Sequence, residues 1–175
     1  MYGVTPDLAT FGKAMAGGFP ISAIAGKRHL MELIANGQVM HAGTFNTYNL
    51  GVAASVAAIE RLRLGRGAVY RQLHRMGKHL MEGIRRIARD QNQPILVQGP
   101  GPVFHVGFTD RSAVQDYRQC RSYDGARYGR LVQAMRERGI RLIVRGIWYI
   151  SAAHTEEDIE RTLATFPEAL RVSSP

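Results

Sequence analysis

Apolar residues recur along this chain with two different spacings, and the change from one to the other marks its elements. In the first third, short apolar runs alternate with glycine-rich turns. Ile21 to Ala25 reads as a short buried strand, and Lys27 to Ala35 as a helix with Leu30, Met31, Leu33 and Ile34 on one face, stopped at Asn36-Gly37. Val39 to Ala42 predicts another brief strand, feeding a Gly43-Thr44 turn. From Leu50 the spacing becomes helical, and alanines at 53, 54, 57 and 58 permit close packing. Gly65 and Gly67 interrupt it as a C-cap and hinge.

Val69, Leu73, Met76, Leu80, Ile84 and Ile87 then repeat every three or four residues, which predicts a long amphipathic helix ending near Asp90 to Asn92, ahead of Pro94. Beyond it the short period returns. Ile95 to Gln98 and Val103 to Phe108 read as strands, Asp124 to Arg138 as a helix ended by Gly139, and Arg141 to Val144 and Trp148 to Ser151 as two further strands. Thr155 is an N-cap with Asp158 three residues on, opening a last helix through Leu170. Strands mixed with returning helices predict an α/β fold whose smaller sheet is partly antiparallel, divided into residues 1–66 and 67–175.

Composition narrows the class. With 45% hydrophobic and 21% charged residues, the chain has the makeup of a globular protein. No apolar run approaches the length of a membrane span, and the N-terminus lacks a secretion-signal pattern, so a cytoplasmic location is expected. One cysteine, Cys120, cannot form an internal disulfide. The formal net charge of +9 raises nucleic-acid binding as an option. The arginines are dispersed over helix faces without zinc-ligand spacing or interleaved aromatics, so neither a nucleic-acid partner nor a metal is expected.

The candidate chemistry centres on Lys13, in Pro6-Asp7-Leu8-Ala9-Thr10-Phe11-Gly12-Lys13-Ala14-Met15-Ala16-Gly17-Gly18-Phe19-Pro20. A lysine that acts as nucleophile or base needs an amine held in a desolvated pocket, with small residues leaving room for a bound ring. Gly17 and Gly18 allow close backbone approach. A phosphate-binding Walker loop is excluded, because Gly12-Lys13 is followed by Ala14 in place of serine or threonine. Gly43-Thr44 offers backbone N–H and hydroxyl donors suited to phosphate oxygens, or else a turn that caps the following helix. Arg145, next to Gly146 and Trp148, carries the planar fork that suits a carboxylate. His41 and His154 read as structural residues.

The lysine segment resembles that of class III pyridoxal-phosphate-dependent aminotransferases, the family that includes glutamate-1-semialdehyde aminomutase. His41-Ala42-Gly43-Thr44-Phe45-Asn46, Gly101-Pro102-Val103-Phe104 with Phe108-Thr109, and Ser151-Ala152-Ala153-His154-Thr155-Glu156-Glu157-Asp158-Ile159 fall in the family's order. The resemblance implies fold type I of the pyridoxal-phosphate transferases, represented here by the end of the large domain and the C-terminal small α/β domain. It implies pyridoxal 5'-phosphate as cofactor, held as an internal aldimine on Lys13, with Gly43 and Thr44 on its phosphate. In that family the threonine serves the neighbouring subunit, which implies a homodimer through the large domain.

The implied reaction moves an amino group between an amine or amino acid and a carbonyl compound. The alternatives are a 2,1-aminomutase of the glutamate-1-semialdehyde type, or a truncated, non-catalytic fragment. Upstream family contacts to the pyridine nitrogen, phosphate and ring face have no counterpart in the twelve residues before Lys13, which implies that Met1 falls inside the large domain. Two departures from the family pattern bear on specificity. Tyr48 stands where a small residue or asparagine is common, and Arg145-Gly146-Ile147-Trp148-Tyr149 is not a clear feature of the glutamate-1-semialdehyde enzymes.

Overall fold

A computed structural model describes residues 3–174 of the chain. It divides into two compact units, Met1–Ala68 and Val69–Pro175. The start of the chain at Met1, which the family resemblance puts inside a large domain, lies outside the described residues.

In the first unit, β1 (Leu8–Phe11) and β2 (Ala23–Gly26) pair antiparallel, from Leu8 opposite Gly26 to Phe11 opposite Ala23. Gly26 lets the strands close, because a Cβ there would sit 2.5 Å from the Leu8 side chain and 2.6 Å from the Asp7 carbonyl oxygen. Asp7 and Lys27 also form an ion pair across the open end of the hairpin. Helix α1 (Arg28–Ala35) follows. The strand expected at Val39 to Ala42 does not form. The Val39 N–H donates to the Leu33 carbonyl at 2.8 Å, closing the end of α1, and no described strand pairs with the segment. The helical segment α2 (Asn49–Asp90) begins in this unit and breaks at Leu64, Gly65, Arg66 and Gly67. The last three of those residues are left-handed, with φ of 58°, 54° and 77°, and glycine at two of them makes the break inexpensive.

The second unit takes the rest of α2, then β3 (Ile95–Gln98), β4 (Val103–Phe108), α3 (Tyr117–Cys120), α4 (Gly125–Glu137), β5 (Ile147–Tyr149) and α5 (Glu156–Val172). Its sheet has the order β3-β4-β5, with both pairings antiparallel. Alternation along β4 turns Phe104, Val106 and Phe108 into the core, where they meet Ile84 of α2, Leu131 and Met135 of α4, and Phe166 and Leu170 of α5. Trp148 lies between Phe104 (centroids 5.6 Å apart) and Phe166 (6.2 Å), and its Nε1 donates to the Tyr128 hydroxyl at 2.9 Å. Burial pushes the Tyr128 phenol up to about 12.

Two expectations for this unit are corrected. Arg141 to Val144 is not a strand, since no described strand pairs with it. The strand expected at Trp148 to Ser151 runs instead over Ile147–Tyr149, because the Ser151 N–H is taken by His154 Nδ1 at 3.0 Å. The short helix α3, capped by Asp116 accepting from the Gln119 N–H, was not expected from the sequence. The capping box of α5 forms as its spacing predicts. The Asp158 N–H donates to Thr155 Oγ1 at 3.2 Å, and the Thr155 N–H donates to Asp158 Oδ2 at 2.8 Å. Hydrogen bonds from Thr155 hold the Asp158 carboxyl below its ordinary range.

Candidate active site

Lys13 begins a 3-10 turn, Lys13–Ala16, in the excursion between β1 and β2. Three backbone bonds wind this stretch tightly: Met15 N–H to Gly12 O at 3.2 Å, Gly17 N–H to Ala14 O at 3.3 Å, and Phe19 N–H to Ala16 O at 3.2 Å. Ala16 anchors the turn at 1% exposure. The winding puts Lys13 itself in the left-handed region, with φ 55°. A lysine pays about 1–2 kcal/mol there relative to the right-handed region. Its side chain is exposed on a shallow concavity of about 600 Å³ shared with Ala14, Gly17, Gly18, Phe19, Pro20 and Ile21. The desolvating wall expected around this amine is therefore not supplied by the described residues of its own unit.

Gly43 and Thr44 lie in the turn before α2, also exposed. Asn46 closes that turn, with its N–H on the Gly43 carbonyl at 3.0 Å and its Nδ2 on the His41 carbonyl at 3.3 Å. The Thr44 hydroxyl makes no hydrogen bond to the described residues, so it does not serve as a helix cap and is free to donate outward. Ile21, just after the lysine segment, lies against the first turn of α2. A Cβ on Gly51, in the first turn of α2, would meet the Ile21 side chain at 3.3 Å and Tyr48 at 2.9 Å. Tyr48 is half-buried and meets Phe45 edge-on at 6.4 Å.

Arg145 belongs to the second unit, in the turn that leads into β5. Its guanidinium is exposed and makes no hydrogen bond or ion pair with the described residues, while its carbonyl oxygen accepts from His105 Nε2 at 3.1 Å. Sequence reasoning passed over His105. The available signal was one polar ring in the otherwise apolar strand Val103–Phe108. His154 serves its turn through the Ser151 N–H, as a structural histidine does. Cys120 is a free, exposed thiol. Among the described residues no cluster of three or more His, Cys, Asp or Glu could hold a metal, and no helix is long and apolar enough to cross a membrane.

The chain matches a known family. The sequence profile described as Aminotransferase class-III matches residues 1–169. The glutamate-1-semialdehyde 2,1-aminomutase of Sulfurihydrogenibium azorense is 34% identical over 175 residues, covering 98% of this chain and 40% of that protein. The enzyme of the same name from Desulfitobacterium hafniense strain DCB-2 is 36% identical over 173 residues, covering 97% and 40%. The crystal structure of an omega-transaminase from Sphaerobacter thermophilus superimposes with a TM-score of 0.84 at 28% identity, covering 98% of this chain and 40% of that one. A glutamate-1-semialdehyde aminomutase from Pseudomonas aeruginosa PAO1 shares the fold, with a TM-score of 0.80 at 18% identity over 97% and 40% of the two chains. The chain thus spans about 40% of the length of these relatives. With the lysine turn, the threonine turn and the Thr155 capping box placed along a fold shared with transaminases, the chain belongs to the class III aminotransferase family.

Proposed function

We propose that this chain supplies the lysine-bearing and C-terminal portion of a pyridoxal-phosphate-dependent aminotransferase or aminomutase acting on a small amine or amino acid and a carbonyl compound. The observation that carries the proposal is Lys13, held left-handed in a tightly wound turn, within the segment that resembles the family's lysine segment. Bound pyridoxal 5'-phosphate supplies an aldehyde that captures amines and an electron-withdrawing ring that stabilises charge on the adjacent carbon.

The chain's own residues fit part of that cofactor. Lys13 offers a primary amine on an open concavity, as attachment point and as the base that holds and moves a proton. Gly43 and Thr44 offer an uncommitted hydroxyl and a turn backbone to the phosphate. Arg145 offers an unpaired guanidinium for a substrate carboxylate. On this reading the first unit is the C-terminal part of the large cofactor-binding domain and the second is the small domain. The working enzyme is a cytoplasmic homodimer in which Thr44 serves the partner's cofactor. The single unpaired cysteine agrees with a reducing compartment.

A second reading, a fragment that turns nothing over, draws on the first unit's surface. Ala16 is the sole buried hydrophobic side chain among its described residues, while Met40, Phe45 and Leu50 are 89%, 76% and 62% exposed. Such apolar exposure is a face awaiting cover. The deciding experiment is a pyridoxal-phosphate titration, borohydride reduction and peptide mapping. The only lysines are Lys13, Lys27 and Lys78, so the map is unambiguous. Selective attachment at Lys13, lost in Lys13→Ala, is the expected result. Equal labelling of all three lysines, or none, overturns cofactor binding by this chain alone and favours the fragment.

A further inference from the structure

His105 is set apart from the other polar side chains of the second unit by how it is held. It sits on the central strand β4, paired with Gln98 on one side and Ile147 on the other. Its ring and Gly107, two residues on, share the face of β4 that looks away from the core. Tyr123 covers that face. A Cβ on Gly107 would lie 2.3 Å from the Tyr123 ring, and the same ring stacks on His105 with centroids 4.6 Å apart and planes tilted by 31°.

The hydrogen bonds of the imidazole fix its proton. A carbonyl oxygen only accepts, so the 3.1 Å bond to the Arg145 carbonyl requires the proton on Nε2. Nδ1 is then a bare acceptor, and it is buried with no partner. A second proton there would create a buried donor with nothing to receive it. Burial accordingly holds the imidazole below its ordinary 6.5, although the Arg145 bond pulls the other way.

The turn that receives this bond is pinned twice. The Arg145 carbonyl takes the His105 N–H, and the next carbonyl, Gly146, takes the Val106 N–H at 2.8 Å. Gly146 has φ 77°, and a Cβ there would come within 2.5 Å of His105 Nε2 and 2.7 Å of the Val106 carbonyl. The backbone of Arg145 is thus locked onto β4 while its guanidinium stays unengaged.

We propose that His105 is a positioning residue, fixing the Arg145–Gly146 turn against β4 so that Arg145 is presented to a substrate carboxylate from a pre-ordered backbone. This rests on the reading of Arg145 given above. A pre-ordered turn loses less freedom on binding than a loop that must organise around its ligand, so affinity for a carboxylate depends on the His105 bond.

The test uses the full chain labelled with nitrogen-15. His105→Phe keeps a ring against Tyr123 and removes the Nε2 donor, and His105→Gln returns an N–H donor. Amide relaxation reports the order of residues 144–147. Propionate is titrated against the Arg145 Nε–H signal, assigned by its loss in Arg145→Gln. In His105→Phe the turn becomes mobile while Phe104 and Phe108 amides stay ordered, and propionate binds about tenfold more weakly. His105→Gln recovers most of both. A turn as ordered in His105→Phe as in the parent overturns the role of His105, as does equal loosening of β4 throughout. Absence of any propionate response in the parent overturns the carboxylate role of Arg145, so the two failures are read from different signals.

Discussion

The two units bury their side chains on opposite principles. In residues 69–174, Ile84, Val106, Leu131, Met135, Phe166, Ala169 and Leu170 are all at 0% exposure, and an antiparallel sheet and three helices share them. In residues 3–68 the elements are joined by a hairpin ladder, a string of tight turns and the Asp7–Lys27 ion pair, and Ala16 is the sole buried hydrophobic side chain among these described residues. Turns fix local geometry but bury little apolar surface, and apolar burial is the main driving force for folding. The unit carrying Lys13 specifies the shape of its turn without the means to hold it alone, whereas the unit carrying Arg145 contains its own means. The match spans 40% of the Sulfurihydrogenibium azorense relative, which is about 2.5 times this length.

The most drastic way to break this comparison is to separate the units. A peptide of residues 69–175 is expected to keep a cooperative thermal transition, and one of residues 1–68 to show none. A cooperative transition in the shorter peptide would erase the contrast. Next in size, Phe166→Ala removes a fully buried ring and is expected to cost about 3–5 kcal/mol. Phe45→Ala, at a 76% exposed position, is expected to stay within about 0.5 kcal/mol in the same chemical denaturation.

A smaller effect sharpens the account of the second core. Tyr128→Phe leaves the buried Trp148 N–H without its acceptor, and a loss of about 1–3 kcal/mol is expected. Thr155→Ala removes the capping box of α5 and is expected to cost about 1 kcal/mol, read as a shift in denaturation midpoint. The smallest effect concerns pH. His105 titrates below 6.5 when folded, so from about that pH downward the unfolded chain binds more protons. Its contribution to stability is fully present above that range and declines as pH falls toward the folded value. The groups around it are Tyr123 on its ring, the Arg145 carbonyl on Nε2, and Cys120 across the same small cavity. His105→Phe should flatten this part of the stability–pH profile, and an unchanged slope would show that other groups carry it.

Much of the second unit, and the helix break just before it, was legible because the signals are local. The strands Ile95–Gln98 and Val103–Phe108 have the predicted bounds, the helix break falls at the predicted Gly65 and Gly67, and Thr155 caps the last helix as its spacing requires. Val39 to Ala42 and Arg141 to Val144 carry equally strand-like residues, yet neither pairs, because a strand exists only where a partner lies alongside. The motif around Lys13 points to that residue from the sequence. Its exposure was not legible, since burial of an amine depends on what packs over it.

The sequence by itself determined the periodicities, the glycine hinge, the caps and the order of family motifs, all of which depend on residues a few places apart. Only the tertiary structure decided that His105 on β4 meets the Arg145 carbonyl forty residues away, that Tyr123 fills the space Gly107 leaves open, and that one unit closes a core while the other does not. Those outcomes depend on which surfaces meet, and spacing along a chain does not encode contact across it.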